Sequence, residues 1–286
     1  LVAEQEGDLM AVCSRFLWPY RVGEKVLEIW TAADFRAERR AAVSSVTGLG
    51  WRALRKRLEG KPALISLVKD NPLSFRLFSK GRRGWPCLHE VARLKTVMLP
   101  LATVPSFRSA LGLLPPSRVQ VCQFLNEDKS YLAPVFEPND IGRVTPGLES
   151  FLAYHDGVNL GACGALWDPS DYRQIRIAGY NGLYARLKRW CSPLLPDQGS
   201  EVRIRFAAFL KGDCRVARSR VFQGLVTRAK EEGAQFLVWG GGASEAHPFP
   251  GHWPFFKMES SLYQLCWDDE RLPRALSHCG FEVAWL

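Results

Sequence analysis

The chain repeats itself, and the repeat decides what it can fold into. Residues 1–17 read LVAEQEGDLMAVCSRFL, and residues 151–167 read FLAYHDGVNLGACGALW. Ala3 matches Ala153, Gly7 matches Gly157 and Cys13 matches Cys163, with apolar residues matching apolar residues between them. Each stretch is two apolar runs around an acidic-Gly turn, the pattern of a β-hairpin. The correspondence continues downstream. Lys25 to Trp30 reads as a strand, Ala41 to Leu58 as a helix stopped at Gly60, and Pro62 to Val68 as another strand. In the second half Glu201 to Leu210, Arg215 to Glu232 (stopped at Gly233) and Ala234 to Trp239 read the same way. Strand-helix-strand of this length is a right-handed crossover between parallel strands. Two copies of one α/β domain are expected, at residues 1–105 and 117–286, with SFRSALGLLP inside a linker at 106–116.

Several flanking elements follow from the same logic. Gly84-Trp85 leads into a strand from Val91 to Leu99, and Gly280-Phe281 leads into one from Phe281 to Leu286. Val119 to Asn126 and Ala133 to Ile141 read as helices preceding the second hairpin, and Pro193 to Ser200 as an inserted loop. The first hairpin begins the sequence directly, so the repeat predicts a comparable helical segment ahead of Leu1.

With 47% hydrophobic and 12% aromatic residues, 286 positions are ample for buried cores. No apolar run approaches the roughly 20 residues that span a bilayer, and no signal segment is read, so a cytoplasmic protein is expected. The eight cysteines are scattered without a C-x-x-C pair, and Cys13, Cys163 and Cys266 sit in apolar runs. That usage indicates reduced, buried thiols and argues against a zinc site or disulfide framework. The net charge of +9 gathers at Arg36 to Arg57, Arg76 to Arg83 and Arg203 to Arg228, in helices or loops. It suits solvated helix faces or a phosphate-bearing ligand; nucleic acid is the least supported partner and would show steep salt dependence. The histidines show no H-E-x-x-H spacing, and no G-x-S-x-G nucleophile appears. Gly240-Gly241-Gly242 lacks the Gly-Lys-Ser/Thr of a P-loop and reads as close backbone packing or a flexible loop. Glu245 to Trp253, rich in Pro and aromatics, reads as an ordered loop able to line a pocket, with His247 and His252 structural.

The stretch from Ala63 to Trp85, ALISLVKDNPLSFRLFSKGRRGW, carries a family likeness. It runs strand, polar corner, short helix and Gly-aromatic exit, with Asn71 as N-cap and Pro72 in the first turn. This resembles the second half of the acetyl-CoA-dependent N-acetyltransferases of the GNAT superfamily, where N-x-x-A-x-x-L-Y follows the fifth strand. Here Asn71, Ser74, Leu77 and Phe78 take those places, and Gly84-Trp85 stands for the family's Gly-Phe. In the second copy Gly164 to Asp168, followed by Tyr172 to Gln174, is similar to the family element where a strand leaves the core. The whole chain resembles a tandem double-GNAT protein: α/β, each domain a mixed, mostly antiparallel twisted sheet with helices on both faces.

That resemblance implies an acyl-CoA-dependent N-acyltransferase, most simply moving acetyl from acetyl-CoA or another acyl-CoA to a small-molecule or peptide amine. It implies a pyrophosphate seat at the helix after the fourth strand, built on Q/R-x-x-G-x-G/A, where unpaired backbone N–H groups face an anion. In the first copy that segment runs from Asp34 to Ser45. A register from Arg36 puts Arg39 and Ala41 at the glycine places; one from Arg40 puts Val43 and Ser45 there. The glycines are absent, and arginine charge would have to compensate. The second copy departs further, with Val216 and Arg218 at those places. The resemblance therefore assigns the cofactor to the first copy, among Trp30, Thr31, Arg36, Arg39, Arg40, Ala41, Asn71 and Phe78. It makes Glu28 the base and backbone N–H groups near Trp30 or Thr31 the oxyanion donors. Phe78 replaces the usual tyrosine acid and has no proton to give. A non-catalytic GNAT-fold protein that binds CoA or a partner stands as the alternative.

Overall fold

The structure, a computed structural model, describes residues 2–5, 8–37, 45–69, 84–105, 107, 112–127, 130, 132–143, 145–157, 159–170, 174–180, 186, 188, 196–267 and 271–272. β1 (Val2–Gln5) and β2 (Asp8–Val22) form the first hairpin, and β3 (Lys25–Ala37) returns antiparallel along β2. Gly23 makes that return at φ 62°, a conformation glycine adopts without a Cβ penalty. α1 (Ser45–Leu58) crosses to β4 (Ala63–Val68), which pairs parallel with β3. Arg55, Lys56 and Arg57 fill its last turn, where the helix dipole favours cations. β5 (Cys87–Pro100) and the short β6 (Leu113–Leu114) follow.

The second copy is built the same way. α2 (Arg118–Asn126) opens on a capping box, Ser117 with Gln120. β7 (Leu132–Pro134) adds to β2, then β8 (Phe151–Asp156) and β9 (Asn159–Trp167) form the second hairpin, turning at Gly157. β10 (Ile204–Gly212), α3 (Arg215–Glu231) and β11 (Phe236–Gly242) make the second parallel crossover. α3 ends where Gly233, at φ 72°, lets the Ala234 N–H reach back to Ala229 O at 2.9 Å. β12 (Phe256–Cys266) completes the described chain's strands.

The twelve strands among the described residues belong to one sheet, in the order β1-β2-β3-β4-β12-β5-β11-β10-β9-β8-β6, with β7 on β2. Each copy lends a strand to the other: β12 lies between β4 and β5, and β5 lies between β12 and β11. The two expected sheets are thus fused through the β12–β5 pair.

Among the described residues, helices cover both faces of the second copy and one face of the first. On one face of the second copy α3 buries Val221, Phe222 and Leu225 against Ala162, Ala207, Leu237 and Trp239. On the other, α2 buries Val121 and Leu125 with Phe151, Ala165, Phe206 and Val238. In the first copy α1 buries Trp51, Leu54 and Leu58 on Ala32, Ala63 and Ile65. Ile29, Leu64, Leu94, Leu132 and Leu262 form the opposite core.

Two expectations need correction. Ala133 to Ile141 is not a helix: Leu132–Pro134 is a strand on β2 and Pro138–Asp140 a single 3-10 turn. Pro134 and Pro138 each remove a backbone donor and bar a continuous helix. Second, Phe256–Cys266 is a long central strand to which the repeat had assigned no element. Residues 70–83 and 281–286 lie outside the described residues, as do residues 38–44 at the expected start of α1. Among the described residues no helix is long and apolar enough to cross a membrane.

Candidate functional site

The two parallel crossovers open in the same way. Pairing of β3 with β4 stops at Ala32–Ile65, although both strands run on. Pairing of β10 with β11 stops at Ala207–Trp239. Just beyond each stop the neighbouring hairpin ladder slips. Val12 is opposite Arg36 and Ser14 opposite Ala33, so Asp34 and Phe35 stand against the single residue Cys13, a one-residue insertion in β3. Likewise Cys163 is opposite Lys211 and Ala165 opposite Ala208, with Phe209 and Leu210 at the matching insertion in β10. An inserted residue bends a strand and strengthens its twist, so these bulges help turn β3 and β10 away from their parallel partners. Phe209 sits at φ 54°, a conformation rare for a bulky residue, amid the rings of Phe136, Phe151 and Trp167.

In the first copy the last paired residues before the splay include Trp30 and Thr31. Thr31 is fully buried, and its Oγ1 and the Trp30 Nε1 are buried without a hydrogen-bond partner. Groups of this kind are rare in a finished core, and Arg218 Nε and His247 Nδ1 are buried in the same way at the second splay. The Arg15 guanidinium lies 4.0 Å from the Trp30 ring centroid and donates to Arg57 O at 2.8 Å. The Trp30 N–H donates to Pro62 O at 2.9 Å, so it is spent inside the sheet and is not the expected oxyanion donor. Backbone donors released by the splay begin beyond Ala32.

Glu28 is placed differently from the other expected residues. It lies on β3 opposite Pro19, its side chain 58% exposed, and its carboxylate meets Lys61 Nζ at 2.8 Å. Arg36 lies on β3 opposite Val12, at the splayed end. Arg39, Arg40, Ala41, Asn71 and Phe78 fall outside the described residues.

The second copy's splay is occupied by protein side chains, two from the second copy and Lys95 from β5 of the first. Arg218, in the first turns of α3, reaches the Glu245 carboxylate at 2.5 Å and Ala246 O at 2.9 Å. The other Glu245 oxygen accepts from the Gly242 N–H at 3.2 Å. A Cβ on Gly241 would collide with that carboxylate and with Trp239, so the glycine run serves close packing. Lys95, only 6% exposed, donates to Ala243 O at 3.3 Å and to Glu245 O, 5.6 Å from the Trp239 ring. Burial lowers the Lys95 pKa; Glu245 acts against that, and Lys257 and Arg218 add to it. The His247 ring packs on Trp239, Phe249 and Phe255. Its pKa is also lowered, by burial first and then by Lys95 and Lys257.

Lys95, Glu245 and His247 were not legible as a unit, because three separate segments converge on them. The available signals were a lysine inside the apolar run RLKTVML and an acid just after a glycine triplet. A separate cavity of about 880 Å³ opens at the other end of β3 and β4, lined by Lys25, Arg55, Lys61, Cys266, Trp267 and Arg271 among others. Among the described residues no group of three His, Cys, Asp or Glu is placed to hold a metal ion.

No protein-family model matches this sequence, and no curated protein does. Solved structures do match. Saccharomyces cerevisiae N-myristoyltransferase with bound myristoyl-CoA aligns at a TM-score of 0.64 and 10% identity, over 91% of this chain and 67% of that one. The same yeast enzyme with bound myristoyl-CoA and inhibitors aligns at 0.61 and 10%, over 92% and 66%. At that identity the likeness is one of fold. It shows that this chain shares the α/β fold of these neighbours, and the chain spans about two thirds of their length.

Proposed function

We propose that this chain is an acyl-CoA-dependent N-acyltransferase whose cofactor lies in the splay of the first copy. The observation that carries the reading is the contrast between the two splays. Just before the first opens, at paired positions of β3 and β4, Thr31 Oγ1 and Trp30 Nε1 are buried and unpartnered. At the second, the Arg218–Glu245 ion pair and Lys95 already hold one another and the nearby backbone, although Arg218 Nε and His247 Nδ1 are buried there without a partner as well. The neighbours of this fold carry bound myristoyl-CoA, which supports an acyl-CoA as the co-substrate here.

Transfer of an acyl group to an amine needs a proton acceptor for the amine and donors for the tetrahedral oxyanion. In this reading the backbone beyond Ala32 and the Thr31 hydroxyl face the acyl carbonyl. Arg36, with Arg39 and Arg40, holds the pyrophosphate by charge where the family uses glycine backbone. Glu28 takes the proton, directly or through water, once it is released from Lys61. Acetyl is the simplest donor group, and a small-molecule or peptide amine is the acceptor. Calorimetry with acetyl-CoA and myristoyl-CoA, followed by thiol release in the presence of mixed amines and N-terminal glycine peptides, tests the proposal. Failure to bind either thioester would overturn it.

The Glu28–Lys61 pair favours a second reading, a GNAT-fold protein that binds CoA without turning it over. Tight binding with no thiol release under any acceptor would select that reading.

A further inference from the structure

We propose that Cys87 and Cys266 form a reversible dithiol–disulfide site that fastens β5 to β12. The two are direct partners in the antiparallel ladder at the end of that pair. Residues opposite one another in such a ladder share a face, with Cα atoms roughly 4.5–5.5 Å apart. A disulfide asks for a Cα separation of about 4.4–6.8 Å, so no strand has to move to close the bond. Both thiols are free.

Their surroundings assign an order of events. Cys87 is exposed and is the thiol an oxidant meets first, whereas Cys266 is 6% exposed. Burial pushes the Cys266 thiol up, with Cys87 adding to the rise and Arg271 drawing it partly back. Its Sγ has a weak contact of 3.8 Å with Gln264 O, which leaves it free to turn toward β5. The remaining described cysteines lack such a neighbour in the ladder. Cys13, Cys122 and Cys163 are buried, and Cys163 is pushed up to about 12 by burial. Cys214 is exposed, and its Sγ caps the Ala217 N–H at the start of α3.

With a low-molecular-weight disulfide such as oxidised glutathione as oxidant, the chemistry balances. The Cys87 thiolate attacks one glutathione sulfur, forming a mixed disulfide and expelling one glutathione thiolate. Cys266 then attacks the Cys87 sulfur, forming the protein disulfide and expelling the second. Two protein thiols are oxidised, two glutathione thiols are made, and the two protein protons end on them. Cys266 lines the cavity of about 880 Å³, so the bond sets one wall of it. Because β5 comes from the first copy and β12 from the second, it also ties the copies together covalently.

The test is oxidation of the full chain with oxidised glutathione, alkylation of the remaining thiols, and peptide mapping by mass spectrometry. The expected product is one linked peptide pair carrying Cys87 and Cys266, reversed by dithiothreitol. Cys87→Ser, a change at an exposed position, should leave Cys266 alkylatable under the same treatment. Cys266→Ser should trap a stable glutathione adduct on Cys87. A wild-type protein that keeps glutathione on Cys87 with Cys266 still alkylatable would overturn the proposal. Linkage of Cys87 to any other cysteine would also overturn it.

Discussion

Leu94 and Ser260 face each other at the centre of the sheet, and the pairings on their two sides mirror each other. Ser260 pairs outward with Val68, and Leu94 pairs outward with Gly242. One step along, Ser261 pairs with Leu67 and Lys95 with Gly241. Across the central pair Ser261 lies opposite Arg93, and Lys95 lies opposite Glu259. An approximate two-fold axis therefore passes between Leu94 and Ser260. The sequence repeat is expressed as a symmetric exchange of strands.

That exchange predicts how the chain folds. Cutting it within 106–116 would leave β4 without β12 and β11 without β5, exposing two apolar strand edges that invite aggregation. Fragments 1–105 and 117–286 should each fail to unfold cooperatively, and mixing them during refolding should restore a cooperative transition. Circular dichroism melts of each fragment and of the mixture measure this. A sharp melt from either fragment alone would show that the copies are independent domains.

His247 should make stability sensitive to mild acid. Burial, with Lys95 and Lys257 nearby, holds its folded-state pKa below the ordinary value. The unfolded chain binds the proton first, near about pH 6.5, so stability is lost as pH falls from there through the lowered folded value. His247→Phe keeps a flat ring among Trp239, Phe249 and Phe255 and removes the titration. Between about pH 7.5 and pH 5, spanning the unperturbed histidine value, wild type should lose more thermal stability than His247→Phe. Parallel shifts of the two melting curves would mean the ring takes its proton freely in the fold.

Much of this architecture is legible in the residues, for physical reasons that also mark where legibility stops. Hairpins and crossovers are local: Gly157 at its turn, Gly233 behind α3 and the apolar run of β4 announce themselves within a few positions. Pairing partners are not local. Nothing in FKMESSLYQLC says that it belongs beside ALISLV, almost two hundred positions away. The second splay shows the same limit at a site. The missing glycines at Val216 and Arg218 signal a poor phosphate seat, but only the fold brings Glu245 and Lys95 there to fill it. Pro134 and Pro138 were visible in the sequence, and the helix read across them yielded to their lost donors.

The contrast between the splays predicts where CoA binds. Replacing Arg36, Arg39 and Arg40 together by Ala should weaken acyl-CoA binding by at least about a hundredfold, since each charged hydrogen bond contributes roughly 1.5–3 kcal/mol. Arg218→Ala should lower the melting temperature, because it strands the Glu245 carboxylate, and should leave acyl-CoA affinity within about twofold of wild type, well under the tenfold that 1.4 kcal/mol represents. Calorimetric titration of both variants decides the matter. Loss of binding in Arg218→Ala with binding kept in the triple variant would move the cofactor to the second copy.

Glu28 gives the most direct test of chemistry. Its pair with Lys61 is exposed on both sides, 58% and 33%, and such pairs are worth about 0–1 kcal/mol. Glu28→Gln should therefore hardly change the melting temperature. A carboxylate that takes the proton of the attacking amine contributes roughly 10²–10⁴-fold to the rate. The same variant should then lose turnover on that scale while binding acyl-CoA as wild type does, because a base acts on the amine and not on the cofactor. Single-turnover measurements beside calorimetry separate the two effects. Full turnover in Glu28→Gln would leave this carboxylate as a surface partner of Lys61, and would send the search for the base into the splay itself, to groups around Thr31.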